Sequence, residues 1–252
     1  RDVAVTGVQT CALPIFDLVG FGSQVIGFTT PSVMMRFIKL LPKQNGKRAF
    51  IFRTAGGVAP VNYNASRPML RALGRKGFTV FHERLFAIGS NWINRFDDAV
   101  VAGLAQATRR KTALMCEALL RGEARHLETG RFQRLKMGLV GRVTPAFFRV
   151  AGKDMAVDQA VCTQCGLCAR HCPAGNITLK QGKVRFGWQC NCCLRCVYAC
   201  PAKAIRFKHL GFFAVPGGYD IQATLAHPQP ADPTGEKPAP RFYQAYLAND
   251  AL

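Results

Sequence analysis

Nine of the chain's eleven cysteines fall between residues 162 and 200, in two runs. The first run is Cys162, Cys165, Cys168 and Cys172, spaced C-x2-C-x2-C-x3-C and followed by Pro173. The second repeats that spacing through Cys190, Cys193, Cys196 and Cys200, followed by Pro201. The two form an internal repeat offset by 28 residues, and its register extends to Ile177 and Ile205. Cys192 is left over, because it cannot replace a neighbour without breaking the spacing. In a secreted chain so many cysteines would suggest disulfides. The N-terminus, however, lacks the ordered basic, apolar and cleavage segments of a secretory signal. No apolar run approaches the ~18 residues of a membrane span. Thiols clustered in this way read as metal ligation in a reducing cytoplasm.

Zinc sites use paired cysteines with longer gaps, four ligands per ion. Two four-cysteine runs, each closed by Pro, instead suit cubane iron–sulfur clusters. Three closely spaced thiolates wrap one corner of a cubane, and the fourth, before Pro, points to the other cluster. That rule assigns Cys162, Cys165, Cys168 and Cys200 to one 4Fe–4S cluster, and Cys190, Cys193, Cys196 and Cys172 to a second. Residues 155–208 accordingly resemble a bacterial two-cluster 4Fe–4S ferredoxin domain. The resemblance implies a small α+β unit and one-electron transfer at low potential. It also implies an apolar cover from Ile177, Leu179, Val184, Phe186, Ile205 and Phe207. Packing roles are expected for Trp188 and Tyr198, and for Cys192 as a small buried hydrophobe.

Upstream, the pattern alternates strand and helix. Apolar runs at 16–23, 48–57 and 78–86 read as buried parallel strands. Helices are expected over 29–42, with Thr30 as cap, Pro31 in the first turn and Met34, Phe37, Ile38 and Leu41 on one face. Others are expected over 64–77, and over 97–122 with Val100, Val101, Leu104, Met115 and Leu119 facing inward. Residues 128–154 form a basic linker whose helix should break near Pro145. The tail 209–252 is expected to be flexible, and 228–240 is Pro-rich.

The order of strands, GFGSQVIGFTTP loop and TAGG turn resembles the second half of a flavodoxin. With the cysteine runs, the chain resembles the flavodoxin–ferredoxin fusion proteins of bacteria and archaea over roughly residues 16–208. The implied fold is an α/β flavodoxin-like parallel sheet over 16–127, incomplete because its first strands are missing, followed by the two-cluster domain. The implied FMN loops are Ser23, Gln24, Val25, Ile26 and Gly27, and Thr54, Ala55, Gly56 and Gly57. The family's phosphate-binding loop should follow a strand lying ahead of Phe16. FMN is therefore expected in an intact parent and only weakly, or not at all, in this chain. Residues 5–15 read codon for codon as a translated sequencing adapter, so 1–15 are set aside as an artefact. The strand at 16–22 would then be an aggregation-prone apolar edge.

Lys and Arg number 34 against 14 Asp and Glu, a formal net charge of +20. A field of that size steers an acidic redox partner, or holds the basic, apolar stretch 130–153 against a membrane surface. No nucleic-acid reading motif accompanies it. Five histidines (His82, His126, His171, His209 and His227) form no motif, and no substrate site is identifiable. The leading expectation is an electron-transfer protein passing single electrons between its clusters and a flavin or redox partner. Alternatives are an electron-delivery subunit of a larger reductase, and a cluster-stabilised sensing or binding protein.

Overall fold

The computed structural model describes residues 16–93, 96–215, 226 and 241–249. The described residues divide into two compact units. One comprises those of 1–88, 104–141 and 240–252, the other those of 89–103 and 142–239.

In the first unit the three apolar runs become one parallel sheet. Strands β1 (Leu18–Gln24), β2 (Lys47–Ala55) and β3 (Phe78–Ala87) lie side by side in that order. Parallel neighbours require crossover connections. These are supplied by α1 (Ser32–Leu40) and by α2 (Pro60–Tyr63) running through a 3-10 turn into α3 (Arg67–Arg75). Phe21, Ile51 and Phe78 from the strands bury against Ile38, Leu41, Met69 and Leu73 from the helical side. Phe21 and Phe78 meet edge to face, 5.2 Å between centroids. On the other face the rings of Phe50 and Phe52 lie over Gly20 and Gly22 of β1. A Cβ at either glycine would come within 2.3 Å of the ring above it. The bare backbone admits an aromatic cover for an outer strand.

Several local expectations need correction. Thr30 does not cap α1. Its hydroxyl donates to the Ala65 carbonyl at 2.7 Å, and Pro31 takes the capping position. The helix expected over 64–77 begins earlier, at Pro60, and changes character at Asn64–Ser66. Helix α4 (Asp98–Leu120) buries Val101, Leu104 and Met115, with Val100 and Leu119 half-buried. Helix α5 (Arg131–Lys153) runs unbroken through Pro145. Met137, Thr144, Phe148 and Ala151 are buried on one face on both sides of the proline, so tertiary packing overrides the local penalty.

Residues 228–240 lie outside the description, but the tail beyond them holds a helix, Arg241–Ala248, with Tyr243 and Tyr246 fully buried. The Tyr243 hydroxyl donates to the Gly56 carbonyl. Tyr246 and Thr108 share a hydrogen bond of 3.1 Å between their hydroxyls. The Lys111 ammonium stands 4.4 Å from the Tyr246 ring centroid and donates to the Asn249 carbonyl at 2.5 Å.

The second unit contains two antiparallel strand pairs. One joins β4 (Met155–Val157) to β7 (Ile205–Phe207), and the other is the hairpin β5 (Ile177–Lys180)–β6 (Lys183–Phe186). Single-turn helices α6 (Leu167–Arg170) and α7 (Arg195–Tyr198) hold the third cysteine of each run, Cys168 and Cys196. The observed architecture is thus a parallel three-stranded sheet plus a small α+β region.

Candidate iron–sulfur site

The sequence repeat is also a backbone repeat. Left-handed backbone recurs at pairs 28 residues apart: Gln164 (φ 56°) and Cys192 (52°), Gly166 (72°) and Leu194 (59°), and Gly175 (62°) and Lys203 (51°). Such conformations cost a non-glycine residue about 1 kcal/mol or more, so surrounding interactions must fix them. Helices α6 and α7, and the starts of β5 and β7, keep the same offset. So do two hydrogen bonds to sulfur: Asn176 N–H donates to Cys172 Sγ at 3.2 Å and Ala204 N–H to Cys200 Sγ at 3.3 Å.

These turns fold each run around a cavity. One cavity is lined by Cys162, Cys165, Cys168 and Cys200, with Val157, Val184 and Ile205 as apolar wall. The other is lined by Cys172, Cys190, Cys193 and Cys196, with Met155, Ile177 and Phe186. In each, three cysteines come from one run and the fourth from the other. Of the six residues expected as apolar cover, Leu179 and Phe207 line neither cavity. Phe207 is buried against Phe213 instead. Met155 is a wall residue the sequence did not flag; its Sδ lies 3.9 Å from Cys196 Sγ.

Cys192 lines neither cavity. Its side chain is fully buried, its N–H donates to Cys190 Sγ at 3.2 Å, and its carbonyl accepts from the Trp92 indole at 3.1 Å. Trp92 packs edge-on against Phe148 and tilted against Phe213, at 5.3 and 5.2 Å. Tyr198 is more than packing. Its hydroxyl donates to the Asn91 carbonyl at 2.5 Å and accepts from Val215 N–H at 2.8 Å. The segment 89–93 thus fastens to the second cysteine loop. No sequence signal pointed there, since the partners lie about 100 residues away. Exposed Trp188 lies under the Lys153 ammonium, 4.8 Å from its ring centroid.

The two cavities differ electrically. As free thiols, burial pushes Cys190 up to about 11 and Cys196 up to about 12. Burial also raises Cys192, Cys193 and Cys168. Cys165 goes the other way, lowered first by the N–H of Leu167 and then by the Thr163 hydroxyl. The first cavity opens toward water at Cys165, whereas all four cysteines of the second are partly buried.

Among the described residues, no three of His, Cys, Asp and Glu converge as they would on a single metal ion. A cubane asks for something else: four thiolates standing around a void, amide donors to sulfur and an apolar wall. Both cavities offer that donor set, so the residues present fit the group.

Residues 154–201 match the family model described as a 4Fe-4S dicluster domain. This part of the chain is therefore an iron–sulfur domain of ferredoxin type, and it supports a role in electron transfer. No curated protein and no solved structure matches the chain.

The residues expected around a flavin sit at the carboxyl end of the sheet. Ser23 and Gln24 end β1 opposite Arg53 and Thr54, and Val25 N–H donates to the Thr54 carbonyl at 2.7 Å. Ile26 and Thr29 close a turn with Gly27 at its left-handed corner. Ala55 and Gly57 are buried, and the Gly56 carbonyl is taken by Tyr243. The two loops are adjacent. Because β1 is the first element described, no phosphate-binding loop preceding it is among these residues. On their own these residues do not make a complete FMN site.

No helix among the described residues is long and apolar enough to cross a membrane.

Proposed function

We propose that the chain is an electron carrier holding two 4Fe–4S clusters. Cys162, Cys165, Cys168 and Cys200 would hold one, and Cys190, Cys193, Cys196 and Cys172 the other. The observation that carries this reading is the crossed lining of the two cavities, three cysteines from one run and one from the other in each. A bound cubane supplies one-electron exchange at nearly fixed geometry.

The chain's own residues do the rest. Deprotonated thiolates fix the iron, and the amides of Asn176, Ala204 and Cys192 donate to sulfur and stabilise its negative charge. Met155, Ile177 and Phe186 keep water from the second cage, while exposed Cys165 brings the first closest to solvent and to a docking partner. Two oxidised clusters would leave a net charge of about +16, which steers an acidic redox protein toward the chain.

Anaerobic reconstitution tests the proposal. About eight iron and eight sulfide per chain are expected, with broad visible absorbance that bleaches under dithionite and returns in ferricyanide. A chain that takes up zinc and no sulfide would refute it.

A further inference from the structure

Helix α5 has two apolar faces. The inner one is the buried row of Met137, Thr144, Phe148 and Ala151. On the other side, Phe132, Leu135, Leu139, Val143 and Val150 are each at least 59 % exposed, and Phe147 is 45 % exposed. At about 100° per residue these six fall within an arc of about 120°, and they extend over about 27 Å of helix. Arg131, Arg142 and Arg149 are exposed along one border of the stripe, and Lys136 lies within it. No Asp or Glu occurs anywhere from 131 to 153. A soluble surface seldom leaves so long an apolar row uncovered.

We propose that this outer face is an interfacial membrane anchor, and that α5 lies flat on anionic lipid with its stripe in the acyl boundary and its guanidinium groups among the headgroups. Charge decides the occupant. A second copy packed on the same stripe would bring arginine borders together with no carboxylate on α5 to relieve them. A neutral apolar groove would leave the same arginines without partners. An anionic bilayer satisfies both features at once, because Phe and Leu on one side with Lys and Arg at the border are what an in-plane helix requires. The helix lies on the surface and does not span it. Its last turn packs on Cys190, where a Cβ on Gly152 would come within 2.2 Å of the Cys190 Cβ. Docking therefore carries the second cysteine cage with the helix. The anchor does not depend on the cluster assignment.

The test is flotation of the reconstituted full-length chain with vesicles of phosphatidylcholine alone or mixed with phosphatidylglycerol. The chain should float with the mixed vesicles only, and high salt should weaken binding. Leu139→Ser with Val143→Ser should reduce partitioning at least tenfold. Arg142→Gln and Arg149→Gln, which each remove one charge, should each cost about fivefold. Both pairs are exposed, so visible absorbance and melting temperature should stay at wild-type values. Three results would overturn the anchor. One is absence of flotation. Another is flotation that the serine pair leaves unchanged, which would make it a general effect of net charge. The last is a dimer, or a complex with an acidic protein, that the serine pair disperses while vesicle binding persists.

Discussion

Cys192 and Gly152 show how much of the second cage rests on residues that bind nothing. Cys192 presents its amide to Cys190 Sγ from a left-handed backbone, and its own buried side chain lines neither cavity. Cys192→Ala should therefore leave iron content unchanged, whereas Cys196→Ser should lose about half of it; iron and sulfide assays on the reconstituted variants decide the matter. Gly152 makes a sharper case. In an exposed helix, Gly→Ala gains up to about 1 kcal/mol. Here the new methyl would strike Cys190, so Gly152→Ala should selectively remove one of the two reduced-state EPR signals. Equal loss of both signals would contradict this. The repeat placed eight cysteines in their two runs because ligand spacing is a local property. It could not identify Trp92, whose bond to the Cys192 carbonyl exists only after folding.

At the scale of elements, propensity and tertiary packing disagree twice. Pro145 signals a break, yet α5 continues, because buried positions on both sides of it hold the helix together. The helix at Arg241–Ala248 was hidden by the proline-rich stretch before it; its stability comes from two tyrosines that find partners near Gly56, Thr108 and Lys111. Tyr246→Ala should destabilise the chain by about 3–5 kcal/mol, as for other large buried rings. Tyr246→Phe, which loses only the hydroxyl bond, should cost about 1 kcal/mol. Urea titrations followed by far-UV circular dichroism would separate the two, and an alanine variant as stable as the phenylalanine one would mean that the helix is not fastened there. The three strands, by contrast, were readable within a residue or two, since continuous apolar runs bounded by glycine leave few alternatives in a parallel sheet.

For the whole molecule, charge matters as much as burial. The first unit buries several ionisable groups, among them Arg53, His82 and Glu83. His82 is 1 % exposed, its Nδ1 lies 2.9 Å from the Glu123 carbonyl, and burial lowers its pKa, helped by Arg125 and Arg84. Its folded pKa lies below the unfolded value of about 6.5, so between the two the unfolded chain binds the extra proton. Stability should then fall as pH drops through about 6.5, and level off once the folded ring also protonates. His82→Asn should flatten that slope in urea titrations at several pH values. A slope that survives the substitution would place the sensitivity elsewhere.

The crossed lining of the two cavities carries a consequence for ancestry. A single 28-residue half brings three thiols to one cage and its fourth to the other, so no half completes a cage alone. If the repeat arose by duplication, its single-copy forerunner could have worked only as a pair of chains, each lending an arm to its twin, and would have come apart on dilution. Fusing the pair replaced a concentration-dependent encounter with the closure of a short loop, whose entropy cost is small and fixed. Cluster assembly in the fused chain should accordingly not depend on protein concentration.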